Sequence, residues 1–234
     1  MKTAIITKRI IESAKTFYDS KQTSDHRYYS WDYCYEAFCY ARRKNRNDID
    51  LLSLHLGFYL ASWGMFRGSS FLLDKTFTVH KPMVKEMLEP KYDVLWKSGE
   101  DCSLLLDKMD VLFELEAILK RYYGQFRDKN AKCEVSQTLI TKILLGTLGC
   151  VPAYDRCFKA AVRTTGVTTG IFNEGSICKL VDFYRTNKRI LESARKRMST
   201  ANGGIPYPQM KLLDMAFWQI GLDKEKEDKK AKGK

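Results

Sequence analysis

The stretch from Leu139 to Phe158 holds the residues whose types and spacing most suggest chemistry. Its pattern predicts an apolar helix, a tight turn that contains glycine, and a second helix with a carboxylate in its first turn. The reactive groups are the amine of Lys142 and the carboxylate of Asp155. Each also has a structural explanation. A carboxylate at a helix start is stabilised by the helix dipole, and a lysine stem can lie on the core with its amine in water.

This stretch resembles the core of the helix-hairpin-helix DNA glycosylase superfamily, over about twenty of the 234 residues. In that superfamily a hairpin binds the DNA backbone through its amides, a lysine can act as nucleophile, and an aspartate follows a segment like Val151-Pro152. The resemblance implies a base-excision enzyme with Lys142 and Asp155 as catalytic residues. The Leu-Pro-Gly-x-Gly hairpin is replaced here by a turn that keeps only Gly146 and Gly149.

Two groups of basic residues recur at helical spacing, each beside the apolar face of a predicted helix. The helix that carries the second group is predicted over about residues 174–199. They are Arg156, Lys159 and Arg163, and then Arg185, Arg189 and Lys196. With Tyr154 and Tyr184 nearby, such flanks can track a phosphate backbone. A solvated helix face is the alternative explanation. The sequence therefore predicts these six residues as nucleic-acid contacts and leaves that alternative open.

The net charge favours an anionic partner. The chain has 40 Lys and Arg against 28 Asp and Glu, which gives +12. The tail from Asp223 onward holds six Lys and four acids, or +2, so the body carries +12 − 2 = +10. The usual partners of such a surface are nucleic acid and anionic membrane faces.

The element predicted to organise the fold is one long buried helix over about residues 48–73. Small residues recur at spacings of four, three and four from Gly57 to Gly68, so a helix would place them in one stripe that another backbone can approach. A membrane span is the alternative for so apolar a stretch, but His55 and Arg67 make it costly. Arg67 is then a buried polar residue that requires a carboxylate or phosphate partner.

The whole pattern predicts an all-α fold, a compact bundle of eight or nine helices around that central helix. No alternating strand pattern is sustained. A single domain is predicted over residues 1–222, with a subdivision near 127–134 as an alternative. Residues 223–234 are predicted to be a disordered charged tail.

Cysteine and histidine usage predicts no metal site and no cofactor. The seven cysteines form no CxxC, and the three histidines are far apart and lack metal-ligand spacing. No phosphate-loop, dinucleotide-binding or serine-hydrolase motif is present. Reduced cysteines and the absence of a signal-like N-terminus favour a cytoplasmic location.

These observations predict a basic cytoplasmic protein that binds nucleic acid, DNA or RNA, through a Lys/Arg-rich face. The competing hypothesis is a glycosylase-like enzyme that uses Lys142 and Asp155. A third is a protein-interaction module whose aromatic-rich faces, such as Trp31 to Tyr40, meet a partner. The three hypotheses can be distinguished by where these residues lie in the fold, since the enzyme needs Lys142 and Asp155 to converge in an open cleft.

Overall fold

The computed structural model describes residues 2–232 except 22, 24, 45, 46, 69, 128–133 and 203. Within those residues the chain is all-α, as predicted, although it forms eleven α-helices rather than eight or nine. They are α1 (Lys2–Asp19), α2 (Tyr29–Lys44), α3 (Ile49–Ser62), α4 (Lys81–Met87), α5 (Asp93–Lys97), α6 (Met109–Gly124), α7 (Gln137–Thr147), α8 (Arg156–Thr164), α9 (Glu174–Thr186), α10 (Lys188–Arg195) and α11 (Gln209–Lys232). Three 3₁₀ turns, at Phe77–His80, Pro90–Tyr92 and Cys102–Leu105, lie between them. None of the described helices combines the length and apolar character that crossing a membrane requires.

Side-chain caps explain where several helices begin. Asp48, Ser136, Asp155 and Asn173 each accept a hydrogen bond from the backbone N–H three residues later, at the starts of α3, α7, α8 and α9. Such caps satisfy one of the N–H groups that a helix start leaves free. The turn before α8 therefore fixes the position of the Asp155 carboxylate.

The prediction of one helix over residues 48–73 is wrong, because α3 ends at Ser62. Gly64 has φ +76°, a left-handed conformation that favours glycine. The N–H of Gly64 donates to the carbonyl of Ala61, and the N–H of Met65 donates to that of Leu60, both at 2.9 Å. This is the Schellman ending of a helix. The small residues from Gly57 to Gly68 therefore do not share one helix face.

The centre of the fold also differs from the prediction. Leu54 and Phe58 of α3 are exposed, so this helix is not buried all round. One close approach of the predicted kind does occur, because a Cβ at Gly57 would lie 3.1 Å from the Cβ of Phe77. Instead, every residue over 139–154 and over 207–221 is buried. The core is thus built on α7 and the first half of α11. The helices α1 and α8 pack on α11, and α2, α3 and α6 pack on α7.

The helix predicted over 174–199 divides at Asn187 into α9 and α10. The Asn187 side chain donates to the carbonyl of Phe183 at 2.8 Å and accepts from Thr7 Oγ1 at 2.7 Å. Asparagine side chains that bond nearby backbone groups compete with helix continuation.

The charged tail is also helical where the sequence predicted disorder, since α11 continues to Lys232. Glu225 pairs with Lys229 four residues later at 3.1 Å and with Arg156 of α8 at 2.8 Å. Pairs at this spacing support a helix, and the contact with α8 anchors it. Residues 233–234, and residues 128–133 of the predicted subdivision, lie outside the described residues.

Candidate functional site

The structure brings Lys142 and Asp155 together. Lys142 comes from α7 and Asp155 caps α8, and the distance from Lys142 Nζ to Asp155 Oδ2 is 3.7 Å. The pair lies inside the protein, because the Lys142 side chain is 4% exposed and that of Asp155 15% exposed. The convergence that the enzyme hypothesis needs is present, but in a packed interior and not in an open cleft.

Trp63 covers the Lys142 amine, and its role was missed at the sequence level. Lys142 Nζ lies 3.5 Å from the Trp63 carbonyl oxygen and 4.9 Å from the centroid of its ring. The ring stacks in turn on Tyr28, with centroids 5.3 Å apart, and Trp218 meets it edge-on. A cation over an indole face is favourable, so Lys142 is held by an aromatic wall as well as by a carboxylate. The turn that ends α3 brings Trp63 there.

Two further Lys–Asp pairs are buried nearby. Lys211 Nζ lies 2.9 Å from Asp214 Oδ2 on α11, and Asp214 Oδ1 accepts the N–H of Ala153 at 3.0 Å. Lys21 Nζ lies 2.7 Å from Asp32 Oδ2. The sequence signal for the first pair was available, since a lysine and an aspartate three residues apart interrupt an apolar helix.

Burial and pairing oppose each other at the candidate catalytic pair. Burial lowers the pKa of the Lys142 amine, while Asp155 and Asp214 raise it. Burial raises the pKa of Asp155, while the charge of Lys142 and the N–H of Phe158 lower it. Each residue therefore helps the other to remain ionised in a poorly solvated place. Removal of either one leaves the other without its main compensation.

The first predicted group of basic contacts is largely engaged within the protein. Arg156 pairs with Glu225 at 2.8 Å, and Arg163 Nε donates to the carbonyl of Thr169 at 2.8 Å. Lys159 is only half-exposed. These cations have less freedom to meet a ligand than the sequence predicted.

The second group is open to solvent. Arg185, Arg189 and Lys196 are all exposed, and they lie in a stretch where exposed cations outnumber exposed acids six to one. We call the cations of this stretch the basic face: Lys179, Arg185, Lys188, Arg189, Lys196 and Arg197. The one exposed acid over residues 179–197 is Asp182, which lies 3.9 Å from Arg185 with both side chains more than half exposed. Such a pair contributes little.

The helix α1 lies beside the basic face and adds cations that the sequence analysis missed. Thr7 Oγ1 donates to Asn187 Oδ1 at 2.7 Å, and Tyr18 OH donates to the Ser199 carbonyl at 3.2 Å. The exposed Lys8 and Arg9 follow Thr7 directly. Five exposed cations, two on α1 and three around Asn187, therefore lie within two residues of one inter-helix hydrogen bond.

Arg67 is exposed, so its prediction as a buried polar residue is wrong. It lies beyond the end of α3, in the turn between Gly64 and Gly68, which has φ +61°. Its guanidinium lies against Gly64, where an added Cβ would be 2.7 Å from Arg67 Nε. It lines a cavity together with the start of α7.

The aromatic-rich helix α2 divides between core and surface. Trp31 and Phe38 are buried, whereas Tyr40 is 55% exposed. Tyr40 and Tyr33 line a groove of about 580 Å³ with Leu51 of α3. The interaction-module hypothesis therefore concerns this groove and not the whole segment from Trp31 to Tyr40.

Among the described residues, no group of three or more His, Cys, Asp or Glu side chains is arranged to hold a metal ion. Comparison with protein-family models, with curated proteins and with solved structures found no match.

Proposed function

We propose that the protein binds nucleic acid through the basic face, with Lys8 and Arg9 of α1 beside it. The observation that supports this is the excess of six exposed cations over one exposed acid along residues 179–197. A charge of one sign concentrated on a surface attracts a polyanion and raises its association rate. A cytoplasmic location is part of the same proposal, since the six described cysteines are free thiols.

The expected mode of binding is contact with phosphates. Phe183 is half-buried and Tyr184 is buried, so residues 179–197 present no fully exposed aromatic ring for a base to stack on. Single-strand binders use such rings, whereas phosphate contacts carry no sequence information. We therefore expect binding that depends little on base sequence and weakens steeply with salt.

The test removes two neighbouring cations, Lys188→Ala with Arg189→Ala. Neither residue is in an ion pair recorded among the described residues. Affinity for a nucleic-acid duplex should fall, and the log–log salt slope should flatten by roughly 2, about one for each lost phosphate contact. The fold should persist because alanine favours helix, which circular dichroism can check. The matched control is Lys85→Ala with Lys97→Ala, two exposed lysines on α4 and α5.

Three comparisons test the proposal further. An equal effect of both double variants would mean that only total charge matters, and the basic face would lose its role. A third variant, Lys8→Ala with Arg9→Ala, tests whether α1 takes part. If the unmodified protein binds neither single-stranded nor double-stranded DNA or RNA at low salt, the proposal fails and the interaction-module hypothesis leads.

A glycosylase-like activity is the second candidate, supported by the convergence of Lys142 and Asp155. Asp155→Asn separates the two functions. An enzyme that uses this carboxylate should keep nucleic-acid binding and lose product formation. A binding protein should show no product formation before the substitution either.

A further inference from the structure

A cavity of about 650 Å³ lies between the segment that follows α3, the end of α6 and the start of α7. Its lining includes three cations, Arg67, Lys75 and Arg127, and two aromatic rings, Phe71 and Phe126. Its volume falls in the range of small-molecule sites. We propose that this cavity binds a nucleoside monophosphate, at a site separate from the basic face.

Arg67 is placed to receive the phosphate. No ion pair joins it to a carboxylate among the described residues. Its guanidinium lies against Gly64, where an added Cβ would be 2.7 Å from Arg67 Nε, and the residue lines the cavity. A guanidinium fork binds phosphate oxygens in pairs and is the most suitable side chain for that purpose.

The start of α7 adds to the positive potential at the same wall. Ser136, which caps this eleven-residue helix, lines the cavity. The first amides of a helix and its dipole favour a negative group. Lys75 adds a second positive charge, and its amine lies 5.8 Å from the ring centroid of Phe126. The cations, the helix start and an aromatic ring thus meet at one cavity.

The remaining lining suits a nucleoside better than a bare phosphate. Phe71 and Phe126 are half-buried and present ring surface on which a base can pack. The carboxylates of Asp74 and Glu134 also line the cavity. They would repel free phosphate, but they can accept hydrogen bonds from ribose hydroxyls, as carboxylates do in dinucleotide sites. A ligand with a phosphate at one end and a hydroxylated, aromatic body at the other uses every feature of the lining.

The experiment is calorimetric titration of the full chain with AMP and with UMP. Adenosine and inorganic phosphate are the matched probes that lack one half of the ligand. We expect saturable binding of at least one mononucleotide, and weaker binding of both half-ligands. Arg67→Gln should weaken mononucleotide binding by about tenfold or more, since charged hydrogen bonds are lost. Arg67→Lys should recover only part of it, because the paired geometry is missing.

Arg189→Gln is the control for the basic face. It should weaken duplex binding and leave mononucleotide binding unchanged. Arg67→Gln should weaken mononucleotide binding and leave duplex binding unchanged. The proposal is overturned if neither mononucleotide binds at millimolar concentration, or if inorganic phosphate binds as tightly as the mononucleotide that binds. It is likewise overturned if AMP binds and adenosine binds as tightly. It is also overturned if Arg67→Gln, folded as judged by circular dichroism, binds as tightly as the unmodified protein. Failure of the unmodified protein to bind any single-stranded or double-stranded nucleic acid would overturn the proposed function and leave this site intact.

Discussion

Replacing Asp155 with asparagine should destabilise the protein strongly, because it leaves the Lys142 amine buried without its carboxylate. The substitution isolates the charge, since asparagine is as good a helix cap as aspartate and can keep the bond to the N–H of Phe158. Breaking a buried ion pair by removing one partner costs about 3–5 kcal/mol. The cost here should lie near the lower end, about 3 kcal/mol, because Asp155 is 15% exposed and Asp214 remains near Lys142.

The measurement is a double-substitution cycle with Lys142→Met, followed by denaturant unfolding. Lys142→Met leaves a partly exposed carboxylate at a helix start, where the helix dipole and the capping hydrogen bond stabilise it. We therefore expect this variant to lose only about 1 kcal/mol of stability. The double variant has no buried charge to compensate, so its loss should be only about 1 kcal/mol, which corresponds to a coupling of about 3 kcal/mol. For a chain of this length, 3 kcal/mol corresponds to a fall in Tm of about 6–12 °C.

The deficit of Asp155→Asn should also depend on pH in a fixed direction. Burial lowers the pKa of Lys142 in the folded protein, and loss of Asp155 removes the largest opposing influence. The unfolded chain, with a lysine pKa near 10.4, then binds more protons than the folded one. The stability of Asp155→Asn therefore rises with pH between the lowered pKa of Lys142 in the folded protein and the pKa in the unfolded chain. Its loss of stability relative to the unmodified protein should narrow as the pH approaches about 10. An unchanged Tm for Asp155→Asn, or a coupling near zero, would refute the account of a buried and mutually dependent pair.

Two further predictions test the fold around the candidate sites. Gly64→Ala and Gly68→Ala should each cost about 1 kcal/mol, because both positions have positive φ and the Arg67 guanidinium near Gly64 is the end of an exposed side chain that can move aside. A melting temperature that neither substitution changes would contradict the left-handed backbone of this turn. Burial lowers the pKa of His80 to about 4, below the unfolded value near 6.5, so stability should be lost as pH falls from about 6.5 to 4. His80→Gln should flatten that part of the pH–stability curve, and a curve that stays parallel to the original would contradict it.

The sequence predicted the all-α class because hydrophobic periodicity is a local property that each helix carries by itself. The positions at which the helices end were harder to predict, because different features of the sequence favour different endings. Gly64 follows an apolar run, and the periodicity continues past it and so predicts one helix, although a glycine after a helix is a common ending. The division at Asn187 depends on a bond to Thr7, which is 180 residues away in the chain, and no local pattern contains it.

The candidate sites also contain some residues that the local sequence predicts and others that only tertiary packing brings together. The convergence of Lys142 and Asp155 was predicted only through a short resemblance. The sequence pattern does not point to Trp63, because it predicts helix where the turn that carries this residue lies. Arg185, Arg189 and Lys196 were predicted because they recur at helical spacing within one stretch of sequence. Lys8 and Arg9 were not, since only the packing of α1 beside α10 places them within two residues of the hydrogen bond between Thr7 and Asn187.

The burial of Lys142 bears on both functional hypotheses. A lysine becomes a better nucleophile when burial lowers its pKa, because more of the amine is unprotonated. The same burial removes the access that a nucleophile needs, and here the cover is Trp63, which packs on Tyr28 and Trp218. An enzyme that uses Lys142 would have to move this aromatic cover in every catalytic cycle. The basic face requires no such rearrangement, because its cations are already exposed, and for that reason the geometry favours binding over catalysis.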